Sequence, residues 1–132
     1  MSLVKGIHHV KLQCTPETFD QVLHFYLDII GLRLLSRHGD SAIMTAGNTI
    51  LEVFNDSDYL MEQGYFKHIA FATDDAAKCI RTVEAAGYKI KEYPIHVMFG
   101  LEEDTPATIA FCYGPIGEEI EFFQVGWDTP EA

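Results

Sequence analysis

The chain has 132 residues, of which 48% are hydrophobic and 22% are charged, and these proportions exclude a disordered or low-complexity protein. A chain of this length can bury enough surface for a hydrophobic core. Twenty acidic and nine basic residues give a net charge of −11, which argues against nucleic acid and anionic membranes as partners, because both are bound through clustered Lys and Arg.

The first half of the chain predicts one strand, one helix and three further strands. Residues 6–14 are typical of a strand, and Thr15 and Pro16 then suit the N-cap and the first position of a helix. Apolar residues recur at helical spacing from Phe19 to Ile30, and Gly31 is expected to end the helix. The three following strands are predicted at 32–36, 42–46 and 49–55.

The second half repeats this order. A strand is predicted at 66–73, Asp74 is a suitable N-cap, and a helix at 76–86 is expected to end at Gly87. The remaining strands are predicted at 88–93, 108–113 and 119–125, and residues 94–106 are interpreted as partly loop.

The repeated order predicts an α+β fold of two βαβββ modules, at about 6–55 and 66–125. The natural assembly is an eight-stranded mixed sheet with both helices on its outer face. No Ser-, Gly- or Pro-rich linker divides the repeats, so we expect residues 1–132 to form a single domain.

Four potential metal ligands are predicted on the face of the sheet that is turned away from the helices, since side chains in a strand alternate between faces. Each half contributes a His near the start of its first strand and a Glu in its last strand, namely His9 with Glu52 and His68 with Glu121. Two imidazoles and two carboxylates can hold Zn²⁺, Ni²⁺, Co²⁺ or Mn²⁺ and leave positions for water or substrate. The sequence therefore predicts a divalent metal site.

Other side chains on this face are candidates for substrate binding. Phe54 and Phe123 each follow a ligand Glu by two residues and would give a cavity an apolar lining. Lys11 is interpreted either as a cation that attracts an anionic substrate or as a solvated lysine at the rim. Glu119 shares the face of Glu121, but an acid at the start of a strand is expected to be exposed.

The remaining features concern the compartment of the protein. No apolar run approaches the roughly 18 residues that cross a bilayer, and residues 1–6 have neither the apolar segment nor the cleavage site of a signal peptide. Three cysteines form no CxxC pair and are expected to be inert thiols in a reducing, cytoplasmic compartment: Cys14, Cys79 and Cys112. His24, His38 and His96 have no partner in the repeat and are interpreted as solvated.

Several motifs together span nearly the whole chain. They are Ile7-His8-His9-Val10 in the first strand, the helix end Phe25-Tyr26 followed by Ile30-Gly31-Leu32, the segment Leu51-Glu52-Val53-Phe54, and the turn Gly114-Pro115-Ile116-Gly117 before Ile120-Glu121-Phe122. These motifs resemble those of the vicinal oxygen chelate superfamily, which holds glyoxalase I, the bleomycin and fosfomycin resistance proteins, methylmalonyl-CoA epimerase and extradiol dioxygenases.

The resemblance implies paired βαβββ modules that form a cupped sheet around a metal held by His9, Glu52, His68 and Glu121. This complete set resembles glyoxalase I, a lyase or isomerase that moves a proton next to a carbonyl through an enediolate stabilised by the metal. It implies Glu121 as the base, Glu52 as co-ligand and second proton carrier, and a small substrate with adjacent oxygens.

Two further implications of the resemblance concern the substrate and the assembly. Gln13 stands where glyoxalase I usually carries an Arg that helps to hold the glutathione carboxylate, so Gln13 is a candidate substrate contact. Members of the family often build the site across a dimer, which implies a homodimer.

Two other functions remain as alternatives. The same ligands could serve an epimerase, an extradiol dioxygenase with Fe²⁺ or a fosfomycin-type thiol transferase, and the identity of the metal would separate these reactions. A metal-free protein that sequesters a planar cationic drug, similar to bleomycin resistance proteins, is compatible with the charge of −11.

Overall fold

Two units of the same element order make up the chain, Met1–Glu62 and Gln63–Ala132. The structure is a computed structural model that describes residues 7–60, 66–100 and 104–127. The predicted first strand, at 6–14, therefore begins outside the described residues. Each unit contains a strand, a helical segment and three more strands, which confirms the α+β class and the two βαβββ modules.

The first unit forms a four-stranded mixed sheet in the order β1-β4-β3-β2. Strand β1 runs parallel to β4, whereas β4, β3 and β2 pair in antiparallel fashion. Helix α1 connects β1 to β2 and continues without interruption as a π-helical stretch. The element bounds are β1 His9–Gln13, α1 Phe19–Leu23, π-helical stretch His24–Ile29, β2 Arg33–Arg37, β3 Ser41–Ala46 and β4 Thr49–Phe54.

The first helix begins later than the sequence predicts. The Thr18 hydroxyl accepts a hydrogen bond from the backbone N–H of Thr15 at 3.2 Å and donates one to the Thr15 carbonyl at 3.1 Å. This local bonding favours a turn over a first helical turn. The expected N-cap at Thr15 and the helical Pro16 are therefore wrong, and helix α1 begins at Phe19.

The apolar stripe of this helix is buried from Phe19 to Tyr26, whereas Ile29 and Ile30 at its end are half-buried. The helical segment ends at Ile29, and Gly31 follows it closely, as predicted. Phe25 and Tyr26 are both fully buried although they are neighbours in sequence. The π-helical stretch has i→i+5 bonds, such as that from Ile30 N to Phe25 O at 2.9 Å. Gly31 adopts a φ of 90°, which is available to glycine at little cost.

The second unit forms a sheet of the same kind, in the order β5-β8-β7-β6, with β5 parallel to β8. Helix α2 packs against β6, β7 and β8. The element bounds are β5 Ile69–Ala72, α2 Ala76–Ala85, β6 Ile90–Gly100, β7 Asp104–Tyr113 and β8 Glu119–Val125.

Residues 94–106, which the sequence suggested to be partly loop, are largely strand. Strand β6 continues to Gly100 and β7 begins at Asp104, while 101–103 lie outside the described residues. Pro94 is tolerated because β6 is the outermost strand of its sheet, and the pairing register shifts between Glu92 and Ile95. Proline in a sheet is confined to edges and bulges, and Pro94 satisfies both conditions.

Helix α2 is capped by Asp75 rather than by the expected Asp74. The Asp75 carboxylate accepts a hydrogen bond from the backbone N–H of Lys78 at 3.0 Å, and Gly87 follows the helix with a φ of 93°. A side-chain acceptor at the N-cap satisfies one of the unpaired N–H groups of the first turn.

The buried faces of the strands agree with the predicted alternation. In the first unit Leu51 and Val53 are buried, and in the second unit Ile120 and Phe122 are buried. Their neighbours at alternate positions therefore project from the other face, where the predicted ligands lie.

Candidate functional site

In the first unit, the parallel pairing of β1 with β4 brings His9 beside Glu52. In the pairing register Lys11 lies opposite Glu52. His9 is two residues before Lys11 in the same strand and therefore projects from the same face. The Nε2 atom of His9 is 3.4 Å from Oε1 of Glu52, and the two side chains are 46% and 22% exposed. The structure thus places this predicted pair in contact at a solvent-accessible position.

The other candidate residues of this unit surround that pair. The Lys11 ammonium lies 4.1 Å from the centroid of the Phe54 ring, a cation–π geometry. The Gln13 amide donates a hydrogen bond to the Asp56 carboxylate at 2.8 Å. Lys11, Gln13 and Phe54 therefore lie on the same face of β1 and β4 as the His9–Glu52 pair, and Asp56 orients the Gln13 side chain.

In the second unit, the parallel pairing of β5 with β8 brings His68 beside Glu121. His68 directly precedes β5, and its Nε2 atom is 2.8 Å from Oε1 of Glu121. Glu121 is a buried residue of strand β8. Burial raises the pKa of Glu121 above its usual value, although the contact with His68 acts in the opposite direction.

A second carboxylate, which sequence reasoning expected to be exposed, also contacts His68. The Nδ1 atom of His68 is 3.3 Å from Oε2 of Glu119, and only 10% of the Glu119 side chain is exposed. The other oxygen of Glu119 accepts a hydrogen bond from Lys91 Nζ at 2.6 Å. This bond holds the pKa of Glu119 below its usual value and raises the pKa of Lys91.

Lys91 was missed because no alternation pattern places it near β8. Ile90 pairs with Cys112 and Glu92 pairs with Phe111, so Lys91 is the additional residue of a β-bulge. A bulge redirects the side chain that it contains. The Lys91 ammonium lies 5.7 Å from the centroid of the Phe111 ring and contacts Glu119. From the sequence, the one signal for a role of Glu119 was that it shares a face of β8 with Glu121.

Aromatic side chains flank the His68–Glu121 pair. The Phe111 ring meets His68 edge to face at a centroid distance of 5.3 Å. Phe123, two residues beyond Glu121, contacts Phe99 at 4.9 Å. Phe123 also borders a pocket of about 340 Å³ together with Ala72, Thr73, Asp74 and Val125. Neither His68 nor Glu121 lines this pocket.

The donor chemistry of both pairs fits a divalent cation. In each unit an imidazole Nε2 faces a carboxylate oxygen, and such nitrogen and oxygen donors suit Zn²⁺, Ni²⁺ and Co²⁺. Within residues 7–60, 66–100 and 104–127, no group of three or more His, Cys, Asp and Glu side chains is arranged to hold a metal ion. Each unit by itself contributes one imidazole in contact with a carboxylate, His9 with Glu52 and His68 with Glu121.

Among the helices of the described segments, none combines the length and the apolar character needed to cross a bilayer.

Comparison with known proteins identifies relatives. A probable chloroplastic lactoylglutathione lyase of Arabidopsis thaliana is 30% identical over 125 residues, a match that covers 85% of this chain and 34% of that protein. The chain thus spans about one third of the length of this relative.

Solved structures share the fold at low sequence identity. A lactoylglutathione lyase from Agrobacterium tumefaciens superposes with a TM-score of 0.66 at 14% identity, covering 93% of this chain and 96% of that one. An antibiotic binding protein from Streptomyces gives a TM-score of 0.72 at 15% identity, covering 96% and 100% of the two chains. Enzymes and binding proteins both occur on this fold, so the fold alone does not choose between them.

The family itself is defined by sequence. The model of the Glyoxalase/Bleomycin resistance protein/Dioxygenase superfamily matches residues 6–122. This range includes both His–Glu pairs, strands β1 to β7 and the first part of β8. The chain therefore belongs to this superfamily.

Proposed function

We propose that the protein is a divalent-metal-dependent lyase or isomerase of the glyoxalase I type, acting on a small molecule with two adjacent oxygens. The observation that carries the proposal is the repetition of one His–Glu contact in both units, between β1 and β4 and between β5 and β8. Similarity to a lactoylglutathione lyase over most of the chain supports the same reaction class.

The ligands in this proposal are His9, Glu52, His68 and Glu121, supplied by one chain or by two chains of a homodimer. Zn²⁺, Ni²⁺ or Co²⁺ suits these donors best, and Mn²⁺ or Fe²⁺ is also compatible with them. When bound, such a cation supplies Lewis acidity that stabilises negative charge on neighbouring substrate oxygens.

Glu121 is assigned as the base that moves the proton between adjacent carbons. Its carboxylate is buried beside the Phe111 and Phe123 side chains of its sheet, so that it meets little competing water. A carboxyl group with raised proton affinity is better matched to proton transfer near neutral pH than an exposed one. Glu52, which is more exposed, serves as co-ligand and second proton carrier.

The remaining candidates orient the substrate. Lys11 can attract an anionic substituent while its stem stays on Phe54. Gln13 offers an amide on the same face of β1 and β4, and Phe54 and Phe123 exclude water from the reacting atoms.

Glu121→Gln tests this function. We expect purified wild-type protein to contain about one divalent metal per chain and to isomerise the hemithioacetal of methylglyoxal and glutathione. Loss of the base should lower kcat by roughly 10²- to 10⁴-fold. Metal content by mass spectrometry and turnover by ultraviolet absorbance give the two readouts, and unchanged turnover of the folded variant would refute the assignment.

A binding protein for a cationic aromatic compound is the second candidate. The net charge of −11 and the pairing of Glu121 with Phe111 between β8 and β7 favour it. If dialysed protein binds no added Zn²⁺ or Ni²⁺ but binds such a compound, this function replaces the first. Bound Fe²⁺ with oxygen uptake would instead indicate a dioxygenase, and epimerase or thiol-transferase turnover would indicate the other reactions of the superfamily.

A further inference from the structure

The two units differ in what contacts the outer nitrogen of the ligand histidine. In the first unit, Nδ1 of His9 lies 3.0 Å from Nδ1 of His8, an exposed neighbour in the chain. In the second unit, Nδ1 of His68 lies 3.3 Å from Glu119. The residue that corresponds to Glu119, two positions before the ligand Glu, is Ile50 in the first unit. The carboxylate is therefore a feature of the second unit and not of the repeat.

We infer that Glu119, held in place by Lys91, is a positioning residue that orients His68 with Nδ1–H toward Glu119 and Nε2 toward Glu121. The inference rests on the proposed function, because Nε2 is the atom offered to the metal. Glu119 is not itself assigned as a ligand, since one of its oxygens accepts from Lys91 at 2.6 Å and the other faces Nδ1.

The geometry around Glu119 supports this role. Its side chain is 10% exposed, so its two oxygens depend on protein partners more than on water. Lys91 reaches it from the β-bulge in β6, two strands away from β8. An ammonium and an imidazole on opposite oxygens fix the plane of the carboxylate, and the carboxylate in turn fixes the rotation of the imidazole ring.

The expected consequence is selective. A hydrogen bond from the outer nitrogen to a carboxylate fixes the tautomer of a ligand histidine, raises its basicity, and typically changes metal affinity by about 10- to 100-fold. Replacing Glu119 should therefore weaken metal binding although Glu119 does not touch the metal.

Titration of the metal-free 132-residue protein with Zn²⁺ alone tests the inference. We expect Glu119→Leu to bind Zn²⁺ about 10- to 100-fold more weakly than wild type. Glu119→Gln should lose less affinity, because its amide oxygen still accepts from Nδ1–H but carries no charge. Glu17→Gln, which removes an exposed acid of the first unit, should bind as wild type does.

A spectroscopic readout separates positioning from a general loss of structure. In long-range ¹H–¹⁵N spectra of the Zn²⁺-loaded protein, His68 should be protonated at Nδ1, with a proton that exchanges slowly. In Glu119→Gln the Nδ1–H resonance should move upfield, and in Glu119→Leu it should exchange rapidly with water. If Glu119→Leu does not fold, the affinity and the resonance of Glu119→Gln decide the matter.

The outcomes also distinguish this inference from the proposed function. If wild-type protein binds Zn²⁺ and the Glu119 variants match it in affinity and in the His68 spectrum, the positioning role is wrong while the metal function stands. If wild-type protein binds no Zn²⁺, the proposed function fails and the positioning role fails with it.

Discussion

Two carboxylates that are two residues apart on strand β8 have opposite properties. The hydrogen bond from Lys91 holds the pKa of Glu119 below its usual value, whereas burial raises the pKa of Glu121. Both side chains project from the same face of β8, so the difference between their pKa values comes from their different surroundings. Environments that push two neighbouring acids apart in proton affinity are typical of sites in which one acid carries charge and the other exchanges a proton.

Individual side chains also show where sequence reasoning reached its limit. His96 is exposed, as expected, but it lies in strand β6 and not in a loop, and it stacks on Trp127 with a centroid distance of 5.7 Å and an interplanar angle of 9°. Trp127 also donates its indole N–H to the Val97 carbonyl at 2.9 Å. These contacts depend on residues about thirty positions apart, which no local pattern reveals.

The cysteines lead to a prediction about reactivity. Cys14 and Cys112 are fully buried, and burial raises the pKa of Cys112 to about 12. At pH 8 a thiol with this pKa is ionised in roughly one molecule in ten thousand, and the thiolate is the reactive form. We expect neither residue to react with a disulfide reagent in the native protein, whereas urea should make all three cysteines reactive, as followed by thionitrobenzoate absorbance.

Cys79→Ser provides the matched control for this experiment. Cys79 is less buried than the other two, and burial also raises its pKa. The variant should show no rapid native reaction and two reactive thiols after unfolding. Rapid modification of two thiols in the native variant would contradict the buried placement of Cys14 and Cys112.

Most of the helices and strands could be predicted from the sequence because alternation and turn residues are local signals. Strand β8 occupies the predicted residues, and Gly31 and Gly87 follow the helical segments as expected. The predictions were wrong where side-chain hydrogen bonds, or the position of a strand in the sheet, outweighed the local sequence pattern. Thr18 replaced a helical first turn by a different turn, and Pro94 lies in an edge strand instead of a loop.

The N-cap residue Asp75 is expected to stabilise helix α2. Asp75→Ala should lower the free energy of unfolding by about 0.5–2 kcal/mol, because it removes the acceptor of the Lys78 N–H. Asp74→Ala removes an exposed acid next to the cap and should change stability by less than about 0.5 kcal/mol. Urea unfolding followed by circular dichroism measures both, and equal losses would show that Asp75 does not act as the cap.

Across the whole chain, the repeat explains why the two His–Glu contacts could be predicted from sequence, whereas the contacts of Glu119 and Lys91 could not. Both units have a register shift in the strand at the far edge of the sheet, between Leu34 and Ser36 in β2 and between Ile90 and Glu92 in β6. The residue at this shift is Leu35 in one unit and Lys91 in the other. Both units therefore share the register shift in the backbone, but the side chain at the shift is apolar in the first unit and cationic in the second.

The excess of acidic residues acts on the molecule as a whole. A net charge of −11 makes the folded state repel itself, because folding brings like charges together. Monovalent salt shortens the screening length from about 30 Å at 10 mM to about 8 Å at 150 mM and should relieve this repulsion. At pH 8, with a chelator present to exclude divalent cations, we expect Tm to rise with NaCl over this range.

Reversal of two exposed acids outside both His–Glu pairs provides the comparison for the salt series. Glu17→Lys combined with Asp58→Lys replaces two negative charges by positive ones at exposed positions. Because the remaining repulsion is smaller, the variant should have a higher Tm at 10 mM NaCl and a weaker dependence on salt. A Tm that falls as NaCl is added would mean that attractive contacts such as Lys91–Glu119 outweigh the repulsion among the acids.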